Sequence, residues 1–259
     1  SASAVQLSKI ELVFSKNVDL NSVIPTNFTI DHSVSVVSAQ VNSEMLNVVE
    51  LIVTPQLNVG IVYSITVNNV NDCAGAALNN NVVEVKLPGF QDILINEVLF
   101  NPNTGGSDYI ELYNRTDQDI DIKNWSLLYY NNSGDSAYKL ISSTTYILKP
   151  NQFVVFTEDS ANIKHEYANS MDGTFLEMDL PTYSNAEGEV TVLNQMGLLN
   201  DQFAYNENMH FELLNENKGV SLERVNYLTG SNTGNNWHSA ASTSDFATPG
   251  GNVHLALAF

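Results

Sequence analysis

Positive charge is scarce in this chain of 259 residues: ten Lys and Arg stand against 29 Asp and Glu, a formal net charge of −19. The deficit is uneven, with a net of −4 over residues 1–90 and −15 over residues 91–259. So negative a surface repels phosphate backbones, which argues against unassisted nucleic-acid binding. Cysteine is nearly absent. Cys73 stands alone, which excludes an internal disulfide and a cysteine-based zinc cluster. It sits in Asp72-Cys-Ala-Gly-Ala-Ala-Leu78, a turn in character, and a thiol nucleophile would need a partner histidine. No stretch approaches the roughly 20 apolar residues of a membrane helix. The opening, Ser1-Ala-Ser-Ala-Val-Gln-Leu7, lacks both a basic region and an apolar run, so a mature product or an internal fragment is expected.

Catalytic motifs are missing too. The five histidines (His32, His165, His210, His238, His254) lie in unrelated contexts, and none forms a His-x-x-x-His or His-Glu-x-x-His pair. There is no Gly-x-Ser-x-Gly elbow. Acid pairs for glycoside cleavage can be drawn at will among 29 carboxylates, so their presence has no weight. Asp117, Asp119 and Asp121 occupy positions 1, 3 and 5 of a calcium-loop pattern. That pattern also needs Gly at position 6 and Glu at position 12, where this chain has Ile122 and Leu128. In a strand the three carboxylates would instead line one solvated face. The chain is therefore expected not to be an enzyme and to carry no cofactor, calcium being the one weak candidate.

What is present points to strands. Hydrophobic residues make up 43% of the chain, and Val, Ile, Thr, Tyr and Phe favour a half-buried pleated surface. The 34 asparagines, several clustered as in Asn79-Asn80-Asn81, suit many tight turns. Ile10-Glu-Leu-Val-Phe14, Phe28-Thr-Ile30, Val34 to Val41 and Val48 to Thr54 are short apolar segments divided by polar turns. Pro55 marks a strand end. Tyr63, Ile65 and Val67 share one face of a period-two strand. Such spacing predicts a sandwich of short strands over residues 1–90. Leu87-Pro-Gly-Phe90 reads as a linker to a second unit over 91–259.

Two resemblances add to this reading. Ile10-Glu-Leu-Val-Phe-Ser15, Asn27-Phe-Thr-Ile30, Leu57 to Val67 and Asp72-Cys-Ala-Gly75 resemble a bacterial Ig-like domain of the S-layer and surface-protein type. The likeness spans about residues 4–88, with Ala76 where that family has Asn; such domains serve as spacers or adhesive repeats. In the second half, Ile95-Asn-Glu-Val98, the loop at Gly105-Gly-Ser107, Tyr109-Ile-Glu-Leu-Tyr-Asn114 and the strand at Trp125 resemble the opening of a lamin-tail domain. Leu148 to Thr157, Ser184 to Leu193, Met196 to Tyr205, Gly219-Val-Ser-Leu-Glu-Arg224, Asn236-Trp-His-Ser239 and Ala247-Thr-Pro-Gly250 follow in that family's order, over about residues 92–253. The resemblance implies an all-β chain of two immunoglobulin-like sandwiches in tandem, with no catalytic residues to carry over.

Several residues invite roles. Tyr109, Glu111 and Tyr113 share one strand face, with Ile110 and Leu112 on the other filling the core. Arg224, one of two arginines, is expected to pair with Glu111 or Glu97. Trp125, Tyr129, Tyr130 and Tyr138 flank the turn Asn131-Asn-Ser-Gly-Asp135, where aromatic faces beside polar groups suit a sugar, or else are sandwich core. The expected function is a non-catalytic structural or binding module of a bacterial protein that is secreted or on the cell surface, associated with the outer membrane. Its partners would be protein or carbohydrate at that surface, with no nucleic acid, no membrane span and other domains in a longer chain. The alternative is the accessory region of a secreted hydrolase whose catalytic domain lies outside this fragment.

Overall fold

The computed structural model describes residues 1–78, 81–130, 136–168, 170 and 175–251. Its chain forms two compact units, Ser1–Gly89 with Gln118–Asp121, and Phe90–Asp117 with Ile122–Phe259. Among the described residues no helix is long and apolar enough to cross a membrane.

The first unit holds β1 (Ala2–Gln6), β2 (Lys9–Val13), β3 (Phe28–Ile30), β4 (Ser35–Val41), β5 (Val48–Thr54), β6 (Val62–Val67), β7 (Val70–Asn71), β8 (Ala77–Leu78) and β9 (Asn81–Lys86). One sheet runs β1-β2-β5-β4, a second runs β3-β6-β9, and β7 pairs with β8 in a two-stranded ribbon. Alternation dictates what each strand buries. On β6, Tyr63, Ile65 and Val67 are buried while Val62, Ser64 and Thr66 are half-buried; Ile10 and Leu12 do the same on β2. β5 stops at Thr54, before Pro55, which has no N–H to offer a ladder. Between β7 and β8 the Asp72 carboxylate accepts the N–H groups of Ala74 and Ala76 at 2.9 Å each and the Lys16 ammonium at 3.0 Å. These bonds, the Ala76 N–H foremost, hold its pKa below the usual carboxylate value. Cys73, in that turn, is exposed.

Chain order continues with β10 (Ile93–Leu99), β11 (Tyr109–Asn114), β12 (Ile120–Asp121), β13 (Ser126–Tyr130), β14 (Ser136–Leu140), β15 (Ile147–Leu148), β16 (Phe153–Thr157), α1 (Ser160–Glu166), β17 (Phe175–Glu177), β18 (Glu187–Leu193), β19 (Leu199–Asn206), β20 (Leu222–Arg224) and β21 (Trp237–Ser239). A six-stranded sheet, β17-β16-β11-β10-β20-β21, and a four-stranded sheet, β14-β13-β18-β19, make the second sandwich. Every residue of β10, β11 and β16 is buried, so these strands are covered on both faces. The sequence pattern put Ile110 and Leu112 on the core face, and both are 0% exposed. Their neighbours are covered as well. Tyr109 packs with Leu99, Val155, Ala247 and two residues of the α1 region, Ile163 and Tyr167. Tyr113 packs with Leu94 and Phe153, and Tyr227 leans on them. The helix that closes this face starts on Asp159, whose carboxylate accepts the Asn162 N–H at 2.9 Å.

Candidate functional site

Three glutamates stand side by side on the covered face of the large sheet. Glu111 on β11 lies opposite Glu97 on β10, which lies opposite Glu223 on β20. Their exposures are 0%, 0% and 3%. Like charges set directly across a ladder repel, so the surroundings must supply donors or protons. Glu97 Oε1 accepts from Tyr109 OH at 2.5 Å, Ser221 Oγ at 2.6 Å and Thr248 N at 2.9 Å. Glu111 accepts from Asn96 Nδ2 at 2.6 Å and Gly250 N at 2.5 Å. The Thr248 hydroxyl sits between Glu97 Oε2 at 3.2 Å and Glu223 Oε1 at 2.7 Å. Burial, then the charge of Glu223, pushes the Glu97 pKa up to about 7. Burial, then Glu97, raises Glu111 well above its usual range, and burial raises Glu223. The row therefore fastens the turn Ala247-Thr-Pro-Gly250 onto the sheet.

Arg224 does not join this row. Adjacent strand residues point to opposite faces; Glu223 faces Glu97, so Arg224 faces the other side, where β19 supplies Asp201. The guanidinium is 2.9 Å from Asp201 Oδ2, with both side chains fully buried. It also donates to Ser231 Oγ at 2.8 Å and the Thr229 carbonyl at 2.6 Å. The Ser231 hydroxyl in turn donates a hydrogen bond to Asp201 Oδ1 at 2.5 Å. The expected partners Glu97 and Glu111 are thus replaced by Asp201. Nothing in the local sequence marked that residue, 23 positions away on the opposing sheet.

The aromatic group is dispersed. Trp125 is 0% exposed and belongs to the core, so it offers no face to a ligand. Tyr129 is half-buried and Tyr138 is 62% exposed. The side chain of Tyr130 and the turn 131–135 lie outside the described residues. Asp117 and Asp119 are exposed after β11 and Asp121 is half-buried on β12. Among the described residues no three His, Cys, Asp or Glu side chains gather to hold a metal.

An open cleft of about 540 Å³ lies elsewhere on the second unit, lined by the 102–108 loop, Glu158, the 180–185 segment and Lys218. Thr157 Oγ1 holds the main chain of Asp108 by donating to its carbonyl at 2.8 Å. Burial, then the charge of Glu158, pushes the Asp108 pKa up to about 7. Among the described residues, no donor bonds to either carboxylate. Tyr183 is 7% exposed, and its hydroxyl is buried without a hydrogen-bond partner among the described residues. Burial, Tyr205 and then Asp108 raise its pKa. Lys218 Nζ donates to Thr104 Oγ1 at 2.8 Å. Sequence reasoning singled out none of these side chains; the loop at Gly105-Gly-Ser107 was the one local signal.

A family model described as the lamin tail domain matches residues 88–228. No curated protein matches the chain. Among solved structures, the N-terminal part of the bacterial S-layer protein SbsC aligns at 15% identity over 80% of this chain and 42% of its own, with a TM-score of 0.34. A DUF4876 family protein from Bacteroides thetaiotaomicron VPI-5482 aligns at 12% identity over 74% of this chain and 66% of its own, with a TM-score of 0.31. The chain thus spans less than half the length of the SbsC structure.

Proposed function

This chain belongs to the lamin tail domain family, matched over more than half its length, and from that premise we propose that it is a non-catalytic binding and spacing module. We place it in a bacterial protein that is secreted or displayed at the cell surface, joined to other domains and engaging protein or carbohydrate.

The observation that supports this reading is the use made of the motif carboxylates. Glu97 and Glu111 are 0% exposed and are occupied by donors from their own sheet and from the 247–250 turn. A general acid or base must come within hydrogen-bond reach of a substrate proton, and the turn closes that approach. The open cleft beside Asp108 presents polar side chains instead. Family membership alone does not fix function.

The test uses the purified chain. We expect no turnover of peptide, phosphodiester or glycoside substrates above buffer, and saturable binding on protein or glycan arrays. Turnover that scales with protein concentration and vanishes in Asp108→Asn would sink the reading.

A further inference from the structure

We infer that the turn Ala247-Thr-Pro-Gly250 is a proton-dependent latch, closed over Glu97, Glu111 and Glu223 while that row keeps a proton and lifted from the sheet when the row ionises. The inference goes beyond the module reading and does not depend on it. Two geometric observations carry it. The first is the register: three acids at adjacent ladder positions, 0%, 0% and 3% exposed. Among the described residues no lysine or arginine bonds to them, since Arg224 is turned to Asp201 on the other side of the sheet. The facing groups are Tyr109 on β11, Tyr167 after α1, Tyr227 after β20 and His238 on β21. Phenols bring no positive charge. His238 Nε2 lies 3.8 Å from Glu223 with 42% of its side chain exposed, and one such imidazole does not offset three buried charges.

The second observation is the Thr248 hydroxyl, 3.2 Å from Glu97 Oε2 and 2.7 Å from Glu223 Oε1. It has one proton to give, so both contacts are full hydrogen bonds only when one of these carboxyls is protonated and donates to Thr248 Oγ1. The closed turn thus fits a row that keeps a proton. The turn's N–H groups favour a charged acceptor on Glu97 and on Glu111, but they leave Glu223 and the mutual repulsion untouched. The strands cannot part to relieve that repulsion, because β10 and β11 are buried along their whole length and paired in the middle of the sheet. The turn can. Ala247 is packed against Tyr109, Ile163 and Tyr167 and serves as the hinge, while Thr248 to Gly250 lift and admit water to the carboxylates. Burial raises the Glu97 pKa to about 7, so the closed form is favoured at acid pH and loses that advantage as pH climbs through neutrality.

Amide hydrogen exchange of the purified chain, read residue by residue by NMR and corrected for the intrinsic rate at each pH, tests this. From about pH 5.5 to about pH 8.5 the Thr248 and Gly250 amides should lose at least about tenfold in protection. The slowest amides of β16 should remain at least about a hundredfold slower than the turn at the higher pH. Glu97→Gln and Glu223→Gln each remove one ionisable member of the row and should each cut the loss to about threefold or less. Turn protection that changes by less than about threefold in the wild-type chain overturns the latch. So does a turn that exchanges at the rate of β16, which would mean that the whole unit opens at once, or a loss that persists unchanged in both variants. Should a variant fail to fold, the wild-type series decides together with carbon-13 carboxyl shifts: three glutamates that all titrate below about pH 5 overturn the latch, and one that titrates near neutral pH in step with the turn amides supports it.

Discussion

Replacing Arg224 with alanine removes five donors from the interior of the second sandwich. The guanidinium reaches Asp201 at 2.9 Å, Ser231 Oγ at 2.8 Å, and the carbonyls of Thr229 at 2.6 Å, Ile95 at 3.3 Å and Asn226 at 3.3 Å. Asp201 would stay behind as a buried carboxylate without its cation. It keeps the Ile95 N–H at 2.9 Å, Ser231 Oγ at 2.5 Å, Gln91 Nε2 at 3.2 Å and the Gln202 N–H at 3.0 Å. Breaking a buried pair by removing one partner costs about 3–5 kcal/mol, and those four surviving donors place this case near the lower end. In thermal unfolding the loss is on the order of 10 °C for a unit of this size. Urea unfolding of Arg224→Ala, Asp201→Ala and the double variant separates the pair from its parts. A coupling of about 2 kcal/mol or more is expected, with the double variant more stable than the summed losses. A coupling under about 0.5 kcal/mol, or an Arg224→Ala cost under about 1 kcal/mol, would refute the pairing as a source of stability.

The remaining predictions concern titration and the orphaned hydroxyl. Glu97 has a folded pKa near 7, above its ordinary 4.5. Its contribution is therefore fully present below pH 4.5 and is lost as pH rises through 7, by about 3 kcal/mol. Urea unfolding at pH 5 and pH 8 should show that Glu97→Gln shrinks this difference; an equal difference in the variant contradicts the raised pKa. His210 runs the other way, because burial lowers its pKa to about 4 from 6.5. Stability should fall as pH drops through that window, by up to about 3 kcal/mol, and guanidinium melts of His210→Gln should be flatter there. Tyr183→Phe deletes a buried hydroxyl that has no partner among the described residues, so it should raise the unfolding free energy by about 1 kcal/mol; a loss of that size would mean the hydroxyl has a partner.

How much of this was legible depends on the residue. Ile110, Leu112, Tyr63 and Ile65 bury where their period-two pattern puts them, since alternation is local. Glu97 and Glu111 were singled out only as partners for Arg224, and Glu223, the third of the row, was not singled out at all; it sits in a strand of three residues. Trp125 read as ligand-facing or core, and its complete burial settles it as core. Asp108 and Glu158 lie 50 positions apart and line one cleft, which no spacing rule announces.

By itself the sequence determined the strand-rich class, the order of motif segments, the acidic balance and the lack of a thiol or histidine cluster. Each of these depends on residue type or on near neighbours along the chain. The tertiary structure alone decided who faces whom: that Arg224 meets Asp201 and that the glutamates hold the closing turn. A strand's alternation states which side a residue takes relative to its neighbours in the chain, but the order of strands in the sheet and the sheet packed against it choose the partner.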